Sequence, residues 1–164
     1  MLCDPRTRGE ANNECAIEAA LGAEVQIFDA RGEAEARGVD VRILVPGPHH
    51  DQPAVRRASR RTWPALLRGG VELYEFQPTM IHAKTVIVDS AVTSIGSINF
   101  DPRSFALNAE FGVVVLDREI ATQMEEAFTA DLAHARRITE EDIRQLSHRD
   151  NLFDSICYWI RAQL

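Results

Sequence analysis

Residues 81–116 read IHAKTVIVDSAVTSIGSINFDPRSFALNAEFGVVVL. Two runs in this stretch, 85–88 and 111–116, are rich in the β-branched residues that suit strands. Around them sit polar residues able to do chemistry: His82, Lys84, Asp89, Gly96, Ser97, Asn99, Asp101, Arg103, Ser104, Asn108 and Glu110. If 81–88 is extended, its side chains alternate, so His82, Lys84 and Val86 share one face while Ala83, Thr85 and Ile87 share the other. The imidazole and the ammonium then point the same way.

Outward from this stretch, short Val/Ile-rich runs at 25–28, 41–45 and 71–76 alternate with helix-like segments. Segment 53–68 places Val55, Ala58, Ser59, Thr62, Trp63, Leu66 and Leu67 at helical spacing, with Arg56, Arg57, Arg60 and Arg61 on the other side, which predicts an amphipathic crossover helix. In 120–135 the residues Met124, Phe128 and Leu132 recur at every fourth position, and Thr139 with Asp142 three residues later marks a further helix start. The alternation predicts an α/β fold, a layered sheet flanked by helices. At the C-terminus Leu152, Phe153, Ile156, Trp159, Ile160 and Leu164 form an apolar stripe, read as packing against the domain or a partner in preference to a membrane surface.

With 164 residues, 45% of them hydrophobic, the chain suffices for one cored domain, and no repeat, low-complexity tract or linker marks a second. The 18 Lys+Arg against 25 Asp+Glu leave a formal charge of −7, which repels a nucleic-acid backbone at long range. Cys3, Cys15 and Cys157 are odd in number and unrelated in spacing, which points to a reducing compartment. No apolar run approaches the roughly 18 residues that cross a bilayer, and the first residues lack a signal-peptide core.

Phosphodiester transfer needs a nucleophile, donors around the phosphoryl oxygens and a group that fixes the nucleophile's tautomer. His82 can attack phosphorus through one ring nitrogen if a carboxylate holds its other N–H, and Glu110 is the candidate for that. Lys84 and Asn99 would hold the non-bridging oxygens. A lone H-x-K would read as a surface histidine beside a lysine; the full spacing makes the signal specific. His49, His50 and Asp51 follow a strand-like run where ligand loops lie, but adjacent histidines diverge in extended backbone, which weakens a metal reading.

His82, Lys84 and Asp89 fit H-x-K-x4-D, and Gly96, Ser97 and Asn99 fit a following G-S-x-N; the set resembles the phospholipase D superfamily. Segment 96–110, GSINFDPRSFALNAE, is most similar to bacterial cardiolipin synthases, and 38–47 together with 54–76 is similar to the second half of such enzymes. The resemblance implies a phospholipase D-like half-unit over 37–164 with a helical C-terminus, preceded by a poorly matched and shortened segment 1–36. It implies catalytic roles for His82, Lys84, Asn99 and Glu110, substrate contacts for Ser97 and Gly96, supporting roles for Asp89, Asp101 and Asn108, and no metal or other cofactor.

Cardiolipin synthases of this type carry two such motifs, whereas His49, His50, His134 and His148 all lack a lysine two residues on. The resemblance therefore implies that a dimer mate or a partner half-domain supplies the second motif. The implied reaction is phosphatidyl transfer from phosphatidylglycerol through a phosphohistidine, with anionic phospholipid as partner, peripheral membrane contact and a cytoplasmic place at the inner membrane. Two alternatives stay open: a nucleic-acid phosphodiesterase, opposed by the acidic balance, and a non-catalytic half that pairs with another chain.

Overall fold

The computed structural model describes residues 14–18, 40–49, 56–57, 59–97 and 109–145. Seven strands form one sheet: β1 (Glu14–Glu18), β2 (Asp40–Pro46), β3 (Glu72–Phe76), β4 (Thr85–Val88), β5 (Val92–Gly96), β6 (Gly112–Leu116) and β7 (Ala135–Arg137). Their order is β6-β5-β4-β1-β2-β3-β7, with β1, β2 and β3 mutually parallel and the other neighbours antiparallel. Helices α1 (Trp63–Arg68), α2 (Arg118–Leu132) and α3 (140–145) complete the described chain. The expected layered α/β architecture is present.

The alternation of each strand sorts the core between two faces. Ile43, Leu73, Val86 and Val88 pack with Trp63 and Leu66 of α1 and with Ile138 on one face. Leu44, Ile87, Tyr74 and Phe76 meet Ala121, Met124, Phe128 and Leu132 of α2 on the other. Because helices cover both faces, β4 reads as an unbroken apolar run, and all four of its residues are buried. Leu44 and Leu73, at 1% and 0% exposure, each contribute roughly 1.5–3 kcal/mol by burial.

The crossover segment differs from the continuous helix expected over 53–68. Residues 56, 57 and 59 are helical, 60–62 form a turn, and α1 starts at Trp63. Pro64 explains the break: it has no N–H to donate to the carbonyl of Arg60, and its ring crowds that position. The chain closes the turn with Thr62 N to Ser59 O at 3.1 Å and Trp63 N to Arg60 O at 3.3 Å, while the Thr62 hydroxyl donates to Ser59 O at 2.7 Å. The helix expected over 120–135 begins two residues earlier, where Asp117 Oδ1 accepts from Ile120 N at 3.0 Å. It stops at Leu132, and Ala135 instead pairs with Phe76 in the sheet.

The helix start read at Thr139 is a reciprocal cap. Asp142 Oδ2 accepts from Thr139 N at 2.8 Å, and Thr139 Oγ1 accepts from Asp142 N at 3.2 Å. The bonds from the Thr139 side chain and backbone, assisted by Arg136, hold the Asp142 carboxyl below its ordinary range against the opposing effect of partial desolvation.

Strands β1, β5 and β7 have no counterpart among the expected runs, whereas β2, β3, β4 and β6 do. The run at 25–28 and the C-terminal stripe lie outside the described residues. Among the described residues no helix is long and apolar enough to cross a membrane.

Candidate active site

The meander β4-β5-β6 gathers the separate pieces of the motif. Its first turn, between β4 and β5, holds Asp89 at φ 51° and Ser90 at φ 48°, the left-handed pair of a tight hairpin in which aspartate is tolerated well. The Ser90 hydroxyl bonds both oxygens of Glu125 on α2 at 2.9 and 3.0 Å, which ties the hairpin to the helix. Asp89 follows Lys84 by five residues along the strand, roughly 15 Å at strand rise, so it shapes the far end of the hairpin.

At the near end the chain is not yet a regular strand at 81–84, so the extended segment expected over 81–88 is shorter than read. The ladder nonetheless reaches Lys84, whose carbonyl accepts from Gly96 N at 3.2 Å. Lys84 is 7% exposed, yet His82 is exposed. The lysine Nζ donates to the His82 carbonyl at 3.0 Å and lies 3.2 Å from His82 Nδ1 and 3.3 Å from Nε2. A buried ammonium needs acceptors, and the His82 carbonyl and ring offer it lone pairs.

Gly96 ends β5 where β6 crosses closest. A Cβ there would stand 2.4 Å from Phe111 O and 2.7 Å from Gly112 Cα, both backbone atoms that cannot swing away. The glycine read as a substrate contact therefore carries a packing requirement of its own. Gly96→Ala is expected to destabilise the fold by about 1–3 kcal/mol, the usual cost of overpacking, and to part β5 from β6. Urea denaturation monitored by circular dichroism checks this; an unchanged midpoint would refute it.

Ser97 and Glu110 close the arrangement. The Ser97 hydroxyl donates to Glu110 Oε2 at 2.5 Å and accepts from Phe111 N at 3.0 Å, while Ser97 N donates to Phe111 O at 2.8 Å. The backbone bond from Gly96 N to Lys84 O places the His82–Lys84 pair and the Ser97–Glu110 pair at the same end of the meander. The resemblance implies a substrate contact for Ser97; its bond to Glu110, thirteen residues away, has no local signal. Asn99, Asp101, Arg103, Ser104 and Asn108 lie outside the described residues, as do His50 and Asp51. Among the described residues no group of three or more His, Cys, Asp or Glu is placed to hold a metal ion.

A chemically distinct cluster sits on β3. Glu75 is buried at 2% exposure, with its carboxylate bonded to Arg56, to Arg136 at 3.2 Å, and within 3.8 Å of Arg60. Arg60 also lies 5.7 Å from the centroid of the Trp63 ring. The pattern showed the arginines as one polar helix face; their acceptor on a distant strand was not legible.

Residues 9–132 match the family described as cardiolipin synthase, PLD-like domain. The chain is 44% identical over 116 residues to cardiolipin synthase A of Pseudomonas putida (strain W619), covering 71% of this chain and 24% of that protein. It is 37% identical over 131 residues to cardiolipin synthase of Halalkalibacterium halodurans, covering 80% and 26%. It thus spans about a quarter of the length of these curated relatives. In fold it is similar to Nuc of Salmonella typhimurium, a phospholipase D family member, with a TM-score of 0.67 at 24% identity over 78% of this chain and 83% of that one. Phosphatidylserine synthase of Haemophilus influenzae gives a TM-score of 0.61 at 14% identity, over 89% and 41%. The matched span takes in the meander and its motif, and the chain belongs to the phospholipase D-like domain family of cardiolipin synthases.

Proposed function

We propose that this chain is one half of a phosphatidyl-transfer site that takes phosphatidylglycerol as substrate. The observation that carries the reading is the placement of the bonded pairs His82–Lys84 and Ser97–Glu110 at the same end of the β4-β5-β6 meander. A ring nitrogen of His82 attacks phosphorus, the bond from phosphorus to the glycerol oxygen breaks, and glycerol leaves with a proton supplied by the histidine of a second motif. That histidine then takes the proton from the hydroxyl of a second phosphatidylglycerol, whose oxygen attacks phosphorus as the phosphorus–nitrogen bond breaks, and cardiolipin is released. Lys84 and Asn99 stabilise the charge on the phosphoryl oxygens in both steps.

A second copy of the chain is the proposed source of the second motif. The end strand β6 supports this, because Phe111, Val114 and Leu116 are 72%, 64% and 79% exposed and begin one residue after Glu110. An apolar sheet edge of this kind calls for a cover, and a cover here would stand beside the motif.

The test incubates purified protein with micelles of phosphatidylglycerol, follows lipids by mass spectrometry and determines the oligomeric state by sedimentation. A dimer that yields cardiolipin and free glycerol is expected. A dimer that yields neither would overturn the reading in favour of a non-catalytic half, and cleavage of nucleic acid by the same preparation would favour the phosphodiesterase.

A further inference from the structure

The strand registers place the arginine cluster and the reactive residues in one frame. Thr85 pairs with Glu18, Glu18 with Leu44, and Leu44 with Tyr74. One step further along the strands, Lys84, Val45 and Glu75 lie on the next rung. Lys84 has the parity of Val86 and Val88, and Glu75 that of Leu73, so both belong to the sheet face covered by α1. Three interstrand steps of about 4.8 Å separate them, roughly 14 Å. Glu75 holds Arg56 and Arg60, and these therefore lie at the same end and on the same face as Lys84.

Charge is distributed with the same bias. Between positions 52 and 71 there are five arginines and no acidic residue, in a chain whose formal charge is −7. Four of the five, Arg56, Arg57, Arg60 and Arg61, come before the break at Pro64, in the part of the crossover nearest the reactive end. Like charges at this spacing repel one another along a helix, a cost that Glu75 offsets for Arg56 and Arg60. Met80, 48% exposed and two residues before His82, adds an apolar side chain at the same end.

We propose that the arginine-bearing start of the crossover, residues 56–61, is the surface by which this protein docks on an anionic bilayer, beside the mouth of the site. The choice of a lipid surface rests on the phosphatidyl-transfer reading above; the basic face itself does not. Arg56 and Arg60 are held by Glu75, Arg57 is half-buried next to Arg56, and Arg61 is exposed. Headgroup phosphates are opposite in charge to such a face, and each arginine near an anionic surface strengthens binding about fivefold. Docking in this orientation presents the bilayer's phosphodiesters to His82.

The experiment is co-sedimentation of the full chain with vesicles of phosphatidylglycerol and phosphatidylcholine in equal parts, compared with vesicles of phosphatidylcholine alone. Binding is read without turnover, so it stands or falls separately from the transfer reading. Wild type should bind the anionic vesicles selectively and release them as salt rises. Arg57→Gln combined with Arg61→Gln should weaken binding by about 30-fold, with an unchanged circular dichroism melt showing that the fold is retained. If that variant unfolds, Arg57→Lys with Arg61→Lys, which keeps the charge, should bind as wild type does. Equal binding to both vesicle types, unchanged binding by a folded glutamine variant, or tighter binding to duplex DNA than to anionic vesicles would overturn the proposal.

Discussion

His82→Ala is expected to lower phosphatidyl transfer by on the order of ten-thousandfold or more, since on the proposed mechanism it removes the atom that bonds to phosphorus. The loss should appear in kcat, because lipid binding draws on other groups. Folding should be little changed: His82 is exposed, and the lysine beside it keeps a partner in the residue 82 carbonyl at 3.0 Å. Lipid product analysis beside a thermal melt measures both effects. Transfer at wild-type rate by a folded His82→Ala protein would remove His82 from the reaction.

The largest effect on stability is expected at Glu75, roughly 14 Å across the sheet from Lys84. Glu75→Ala should cost about 3 kcal/mol, because it leaves Arg56 and Arg60, whose side chains are 14% and 16% exposed, without the carboxylate that compensates them. The figure stands at the low end for a broken buried pair, since both guanidinium groups keep some contact with water. Arg136 loses one partner but keeps Asp142 at 2.8 Å. Urea denaturation gives the value directly, and a cost below about 1 kcal/mol would mean that the cluster is electrostatically unimportant.

Strands β2, β3 and β4 were legible because a sheet buried between helices selects apolar runs, whereas β6 was legible by its β-branched residues although it is exposed. β1 (ECAIE), β5 (VTSIG) and β7 (ARR) carry no such signal and owe their state to pairing. β5 in particular is recognisable only as the return arm of the hairpin that Asp89 and Ser90 turn. The break in the crossover helix was written in Pro64, yet the apolar spacing on either side masked it.

The candidate site divides in the same way. His82 and Lys84 stood out because two residues in extended chain share a face, and the structure keeps their side chains in contact although the regular strand begins only at Thr85. Gly96 stood out by spacing, but its reason, the backbone of Phe111 and Gly112, lies on another strand. The Ser97 to Glu110 bond and the Glu75 cluster join residues separated by 13, 19 and 61 positions, which no local pattern encodes.

The most direct test of the central claim is a single-turnover reaction of the protein with labelled phosphatidylglycerol, quenched in alkali and digested, with the peptide that contains His82 weighed by mass spectrometry. A phosphatidyl adduct on His82, appearing before cardiolipin and decaying as it forms, is the predicted result. Cardiolipin formed with no adduct on that histidine at any time would contradict the account.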